Sequence, residues 1–335
     1  MNLVTGGTGL VGSHLLMHLI QNGKSVKAIH RKGSLLHRVE KVFNYYHENG
    51  SELFQKIDWV EADLNDIPAL ECAFEQIDYV YHAAAFISFD PRNYELLLKT
   101  NTEGTANIVD LCIANTVKKL CYVSTIGTIG KSTHGTIANE KNEWYDQHVN
   151  VYALAKYAAE MEVWRGTQEG LAAVIVNPGV IIGPGFWNTG SGALFTTANK
   201  GYSYYPPGGT GFVTVTDVVR MMITLMNSPI ENERFIAVAE NLTFKEILQK
   251  LTTCLGTSEP KKQLKYWQLE IGRVLDFLWS TSTGKKRKLT KNAIHSMKHR
   301  DAYANEKIKE FINFEFESLD PTIQFSCHHF AKENL

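Results

Sequence analysis

Little in this chain commits it to a membrane, an oxidising compartment or a nucleic acid. No apolar run approaches the roughly 18 residues needed to cross a bilayer. The cysteines are few and odd in number, Cys72, Cys112, Cys121, Cys254 and Cys327, with no C-x-x-C spacing. Such a set suits reduced core thiols better than a disulfide framework. No metal is expected at "CHH", residues 327–329, because three adjacent side chains do not easily converge on one ion. The formal net charge is −1, which gives no sign of the clustered positive charge that binds phosphate backbones, so no nucleic-acid partner is expected. The opening "MNLVTGG" has neither a basic n-region nor an apolar h-region. The expectation is a cytoplasmic protein without a signal peptide.

What is present is alternation. "NLVTG", "SVKAIHR", "IDWVEADL", "IDYVYHAAA", "KKLCYVSTIG" and "LAAVIVNPG" read as strands, with amphipathic helical patterns between most of them. The first such helix is "LVGSHLLMHLIQNG", closed by Gly23. This order predicts an α/β fold, a doubly wound parallel sheet with helices on both faces. After Pro178 the texture changes: residues 183–211 read as loops, "FVTVTDVVRMMITLMN" as strand plus helix, and "RFIAVAEN" as another strand. Later come two helices, a basic linker "GKKRKLTKN" and a polar tail. At 335 residues the chain exceeds the usual single core. The expected layout is a Rossmann-type domain from 1–176 plus about 212–239, and a smaller C-terminal α+β substrate lobe from about 177–211 plus 240–335.

"TGGTGLVG" sets Gly6, Gly9 and Gly12 between the first strand and the first helix. Glycines there allow a tight turn and close approach of a pyrophosphate to the helix N-terminus. A plain structural turn explains one or two of these glycines but not three. The end of the second strand normally reads the adenosine ribose, through a carboxylate for NAD or an arginine for NADP. Here it carries His30, Arg31, Lys32 and Ser34, with no carboxylate until Glu40. Donors without an acceptor favour NADPH over NAD; the bland alternative is a solvated basic turn.

Two Tyr-x-x-x-Lys pairs occur, Tyr152 with Lys156 and Tyr303 with Lys307. Residues four apart share a helix face, but a motif this short arises by chance. Context separates them. "TGGTGLVG", "ADL" at 62–64, "HAAA" at 82–85, "NTEGT" at 101–105, "YVST" at 122–125, "YALAK" at 152–156, "NPGVIIGPG" and "VTVTDVV" follow one another in order. In that series the chain resembles the extended short-chain dehydrogenase/reductases (the epimerase/dehydratase family), and within them the dihydroflavonol-reductase-like members. Tyr152, 27 residues after a hydroxyl-bearing strand end, falls where that family keeps its active site. Tyr303 lies in the polar tail and reads as a structural or chance pair.

The resemblance implies roles. Tyr152 would donate the proton in carbonyl reduction, Lys156 would lower the phenol's pKa and hold the nicotinamide ribose, and Thr125 would orient the substrate oxygen, with Ser124 as the alternative. Gly6, Thr8, Gly9, Leu10 and Gly12 would cradle the pyrophosphate, and Arg31, Lys32 and Ser34 the adenosine ribose. Asp63 and Leu64 would lie near the adenine, and Ala83, Ala84 and Ala85 would line the cofactor. Asn101 would support the active-site water network, and Pro178 and Val180 would pack near the nicotinamide. A homodimer built on helices near 101–115 and 152–167 is also implied.

Departures from the pattern narrow the chemistry. Ile126 and Gly127 follow Thr125 where sugar-nucleotide dehydratases carry an acid pair, which disfavours dehydration. "VNPGV" at 176–180 replaces the R-Y-F-N-type segment common in epimerases. Aromatics collect where the family builds its substrate pocket: Phe86, Phe89, Phe186, Trp187, Tyr202 to Tyr205 and Trp267, although they are equally core filler. The reading is an NADP-dependent oxidoreductase acting on a small-molecule ketone or aldehyde, with an apolar or aromatic substrate suggested. A nucleotide-sugar epimerase with bound NAD is the alternative, and a non-enzymatic NADPH-binding regulator a minor one. Membrane-surface attachment through "YWQLEIGRVLDFLWSTSTGKKRK" is disfavoured, since Glu270 and Asp276 interrupt the face and core packing is simpler.

Overall fold

The computed structural model describes residues 1–131, 137–146, 149–284, 287 and 289–334. Its strands in chain order are β1 (Asn2–Thr5), β2 (Val26–His30), β3 (Asp58–Glu61), β4 (Tyr79–His82), β5 (Lys119–Val123), β6 (Ala173–Pro178), β7 (Val180–Ile182), β8 (Tyr204–Tyr205), β9 (Gly209–Thr214), β10 (Glu233–Ala237), β11 (Glu240–Thr243) and β12 (Lys262–Gln263). Seven of them form a parallel sheet in the order β10-β6-β5-β4-β1-β2-β3. The apolar runs of β1, β5 and β6 are continuous because both faces of a helix-covered parallel sheet are buried. Successive side chains go to opposite sides. Val4, Tyr81, Cys121 and Val174 pack with the helices Leu10–Gln21 and Val215–Asn227. Leu3, Val80, Leu120 and Ile175 pack with the helices Gly104–Ala114 and Val151–Gln168. The strand order reverses at β1, so the crevice outside the carboxyl ends of β1 and β4 is the topological switch point where such sheets take ligands.

The smaller part of the fold joins a three-stranded sheet, β11-β9-β7, to helices Phe244–Leu255 and Leu319–Asn334. Its core gathers Trp187, Phe195, Phe212, Leu251, Ile323 and Phe330.

Two expectations change here. The 183–211 segment contains the helix Ala193–Asn199, all of β8 and the start of β9, and Phe195 and Ala198 give that helix a face to bury. The polar tail is folded too. Leu319, Ile323, Cys327 and Phe330 recur at helical spacing and pack inward, the polarity being confined to the other face. Within that helix Cys327 lies in the core while the His329 ring packs, tilted by 38°, against Tyr45 at 4.2 Å between centroids.

Candidate active site

The glycine turn leaves β1 at Gly6, whose φ of +71° is the left-handed region that favours glycine. A Cβ there would sit 2.5 Å from the Ala84 nitrogen, and one at Gly12 would sit 2.1 Å from the Gly6 carbonyl oxygen. The turn is therefore closed against β4 and against the helix start. Gly9 is different: a Cβ would meet only the Gly6 oxygen, at 3.4 Å. No side chain caps the helix that Gly9 begins, so its free N–H groups and positive dipole end face the space above the turn. Thr8 and Leu10 flank Gly9, each half-buried. An anionic pyrophosphate fits this cradle.

At the end of β2, Arg31, Lys32, Gly33, Ser34 and Asp63 line a shallow cavity of about 420 Å³. The Ser34 N–H bonds the Arg31 carbonyl at 3.0 Å, and Gly33 takes φ +76°. This turn leaves both cationic side chains exposed. Leu64 does not join them. Its side chain is buried against Gly104, and its carbonyl accepts from Asn107 at 2.8 Å.

Ala83, Ala84 and Ala85 run along the crevice from β4. They are fixed by Thr5, whose hydroxyl accepts from the Ala84 N–H at 3.2 Å. They are fixed again by Asn101, which accepts from the Phe86 N–H at 2.7 Å and donates to the Phe86 carbonyl at 3.0 Å. Asn101 sits in a π-helical turn, Leu98–Glu103, a device frequent at functional sites. His82 lies between Thr5 (2.6 Å) and Thr105 (2.9 Å), and its ring stacks on Tyr122. Burial holds the imidazole neutral, its pKa lowered to about 3.

Asn150 caps the helix Val151–Gln168, which carries Tyr152 and Lys156, through the Ala153 N–H. Tyr152 is half-buried, its ring edge-on to Phe89 at 5.7 Å between centroids. Lys156 is 1% exposed. Its ammonium donates to the Tyr122 hydroxyl at 2.5 Å and the Val123 carbonyl at 2.8 Å, and lies 4.1 Å from the Tyr122 ring centroid. Burial opposes the expected lowering of the tyrosine by this lysine. Burial pushes Tyr152 up to about 12, and burial draws Lys156 down to about 7 against the opposing pull of Glu160. The ammonium's two bonds go to Tyr122 and Val123 rather than to the phenol. An ammonium carries three donors, so one remains for another acceptor such as a ribose hydroxyl.

Ser124 and Thr125 are separated by their partners. Ser124 is buried and donates to the Glu160 carboxylate at 2.6 Å. Thr125 is half-buried, its hydroxyl accepting the Gly127 N–H at 3.2 Å. A Cβ on Gly127 would stand 3.1 Å from Ala153, so the Thr125 turn adjoins the first turn of the Tyr152 helix. Pro178 ends β6 opposite Ala237, and Val180 pairs with Phe212.

Glu160 was not legible as a functional residue. It is fully buried one turn beyond Lys156, and it accepts from Ser124, Thr128 (2.7 Å), Asn177 (3.0 Å) and Arg234 (3.2 Å). The signal was a glutamate in register with Tyr152 and Lys156 on a helix face otherwise made of alanine and apolar residues.

The second pair is structural. Tyr303 is buried with Ile236 and Val238 rather than lying in a tail, and Lys307 is bound to Glu233 and the Arg234 carbonyl. Of the aromatics expected at a substrate pocket, Phe89 meets Tyr152, and Phe86 is tied to Asn101 through its backbone. Trp187 packs in the small core with Phe195 and Phe330, and Tyr202, Tyr204 and Trp267 are exposed.

Comparison with known proteins agrees with this geometry. The sequence profile of the NAD dependent epimerase/dehydratase family matches residues 2–238. A Synechocystis sp. protein named "Putative dihydroflavonol 4-reductase" is 30% identical over 273 residues, covering 79% of this chain and 75% of its own length. Sterol demethylase protein B of Methylococcus capsulatus is 26% identical over 263 residues, covering 77% and 76%. Among solved structures, the UDP-glucose 4-epimerase of Thermotoga maritima shares the fold, with a TM-score of 0.77 at 22% identity and full coverage of both chains. The chain belongs to the NAD dependent epimerase/dehydratase family and is an NAD(P)-dependent enzyme of the extended short-chain dehydrogenase/reductase type.

Proposed function

We propose that the protein is an NADPH-dependent carbonyl reductase that acts on an apolar or flat ketone or aldehyde. The observation that carries this reading is Tyr152, a phenol kept protonated by burial, at the edge of the crevice and one helical turn from a buried lysine. A reduction needs a proton donor at the carbonyl oxygen, and a protonated phenol is one. Reduced nicotinamide, when bound, supplies the hydride. Thr125 presents the hydroxyl that orients the substrate oxygen, because Ser124 is committed to Glu160. Tyr152 gives its proton to that oxygen as negative charge develops there. Lys156, with its one uncommitted donor, holds the ribose and supplies positive charge beside the residual phenolate. Arg31, Lys32 and Ser34, grouped around one cavity, favour the 2′-phosphate of NADPH. Asp63 shares that cavity and tempers the preference without removing it. The edge-on Phe89 and the reductase-named relative support an apolar substrate.

NADPH oxidation against a panel of carbonyl compounds tests the reading. Turnover of an aromatic or polycyclic ketone is expected. Interconversion of UDP-sugars with retained NAD and no net NADPH oxidation would overturn it. Equal affinity for NADH and NADPH in a cofactor titration would overturn the preference alone.

A further inference from the structure

We propose that the helix Tyr266–Thr283 docks the protein on an anionic phospholipid surface beside the catalytic crevice. Sequence periodicity suggested that this helix packs into a core; the structure turns it the other way. It buries only Leu269 and Ser280. Trp267, Ile271, Leu275 and Leu278, at intervals of four, four and three, form one stripe, and each is at least half exposed. Arg273 and Asp276 lie on the inward side. A contiguous apolar surface of this kind marks an interaction site.

The carboxylates that interrupt the face in sequence are paired, although Glu270 keeps 44% of its side chain exposed and Asp276 borders the surface of Leu275, Leu278 and Trp279. Glu270 is engaged by Arg273 at 2.8 Å and by Lys298 at 3.4 Å, and Asp276 accepts the Leu289 N–H at 3.0 Å. Cations bracket the stripe instead. Lys262 and Lys265 are exposed before it and Lys291 after it. Lys285, Lys286 and Lys288 stand between in the sequence but lie outside the described residues.

This charge pattern selects the occupant. A second copy packed on the same face, parallel or antiparallel, would set cationic end against cationic end. A lipid surface offers phosphates to both ends and an apolar layer to the middle, with Trp267 and Trp279 near the ends, where indoles favour the interface. The helix has no run long and apolar enough to span, so the contact is peripheral. The segment that follows it adjoins the site. The Arg287 N–H bonds Asp90 at 3.1 Å, next to the half-exposed Phe89 that meets Tyr152, and Asn292 bonds the Val149 carbonyl at 2.7 Å, next to the cap of the Tyr152 helix. The docking does not depend on which carbonyl is reduced.

Co-sedimentation of the full chain with vesicles tests it. Vesicles of phosphatidylcholine mixed with phosphatidylglycerol should pull the protein down at low salt, and added salt should release much of it. The double variant Leu275→Glu, Leu278→Glu should bind roughly tenfold or more weakly, with unchanged melting temperature and unchanged turnover of a water-soluble carbonyl. Protein remaining in the supernatant with these vesicles at low salt would overturn the proposal. So would binding undiminished by the double variant, or a concentration-dependent dimer in sedimentation velocity that the variant dissolves.

Discussion

Two helices of equal length, Val151–Gln168 and Tyr266–Thr283, use their residues in opposite ways. The first takes a lysine and a glutamate into the interior, Lys156 and Glu160 at 1% and 0% exposure. The second leaves two tryptophans and a row of aliphatic side chains in solvent. Burying charge is unfavourable unless each charge is bonded, and the first helix meets that condition through Tyr122, Val123, Ser124, Thr128, Asn177 and Arg234. Exposing apolar surface forgoes stability that a core would provide. Each helix departs from the usual inside-outside rule, and each departure adjoins the same crevice. Local conflict with that rule is where function is to be sought.

The comparison can be broken at several points. Tyr152→Phe should preserve NADPH binding and lower turnover by about 10²–10⁴-fold, read by cofactor titration and steady-state rates; Lys156→Met should impair both. Retained turnover in the phenylalanine variant would remove the phenol from the chemistry. Glu160→Ala strips the carboxylate from four partners and should destabilise by about 3–5 kcal/mol, measured by denaturant unfolding.

Acid should act on the same region. His82 is held down to about 3 from an ordinary value near 6.5. Between those values the unfolded chain carries a proton that the native one lacks, so its contribution to stability is full above 6.5 and is lost as pH falls toward 3. His82→Gln should flatten the acid limb of the stability curve by up to about 1.4 kcal/mol per pH unit. At the cofactor's far end, Arg31→Ala with Lys32→Ala should weaken NADPH binding by about tenfold or more, with NADH little changed. The smallest effect belongs to the outer helix: Leu275→Ser should shift stability by no more than about 0.5 kcal/mol, as an exposed position does.

The sheet was legible because buried parallel strands write themselves as short apolar runs between helical patterns, and six of the seven strands can be read that way before residue 180. Gly6, Gly9 and Gly12 were legible because position alone gives them meaning. The Glu160 network was not, since its partners Ser124, Thr128, Asn177 and Arg234 come from separate elements and meet only in three dimensions. Nor were the partners of Lys156: spacing along a helix pairs it with Tyr152, whereas its ammonium bonds the Tyr122 hydroxyl and the Val123 carbonyl, from another element. The outer helix shows a different limit. Periodicity reports that a helix has an apolar face, but not which way the face points.

The Glu160–Arg234 contact also has a mechanical meaning. β10 is the last strand of the sheet, bonded on one side only to β6, and such strands ordinarily fray first. Here the strand cannot peel away without uncovering a carboxylate that also fastens β6 and the turn after β5. Its amides should consequently exchange with deuterated solvent about as slowly as those of the sheet's middle, making the rim a hinge-free wall.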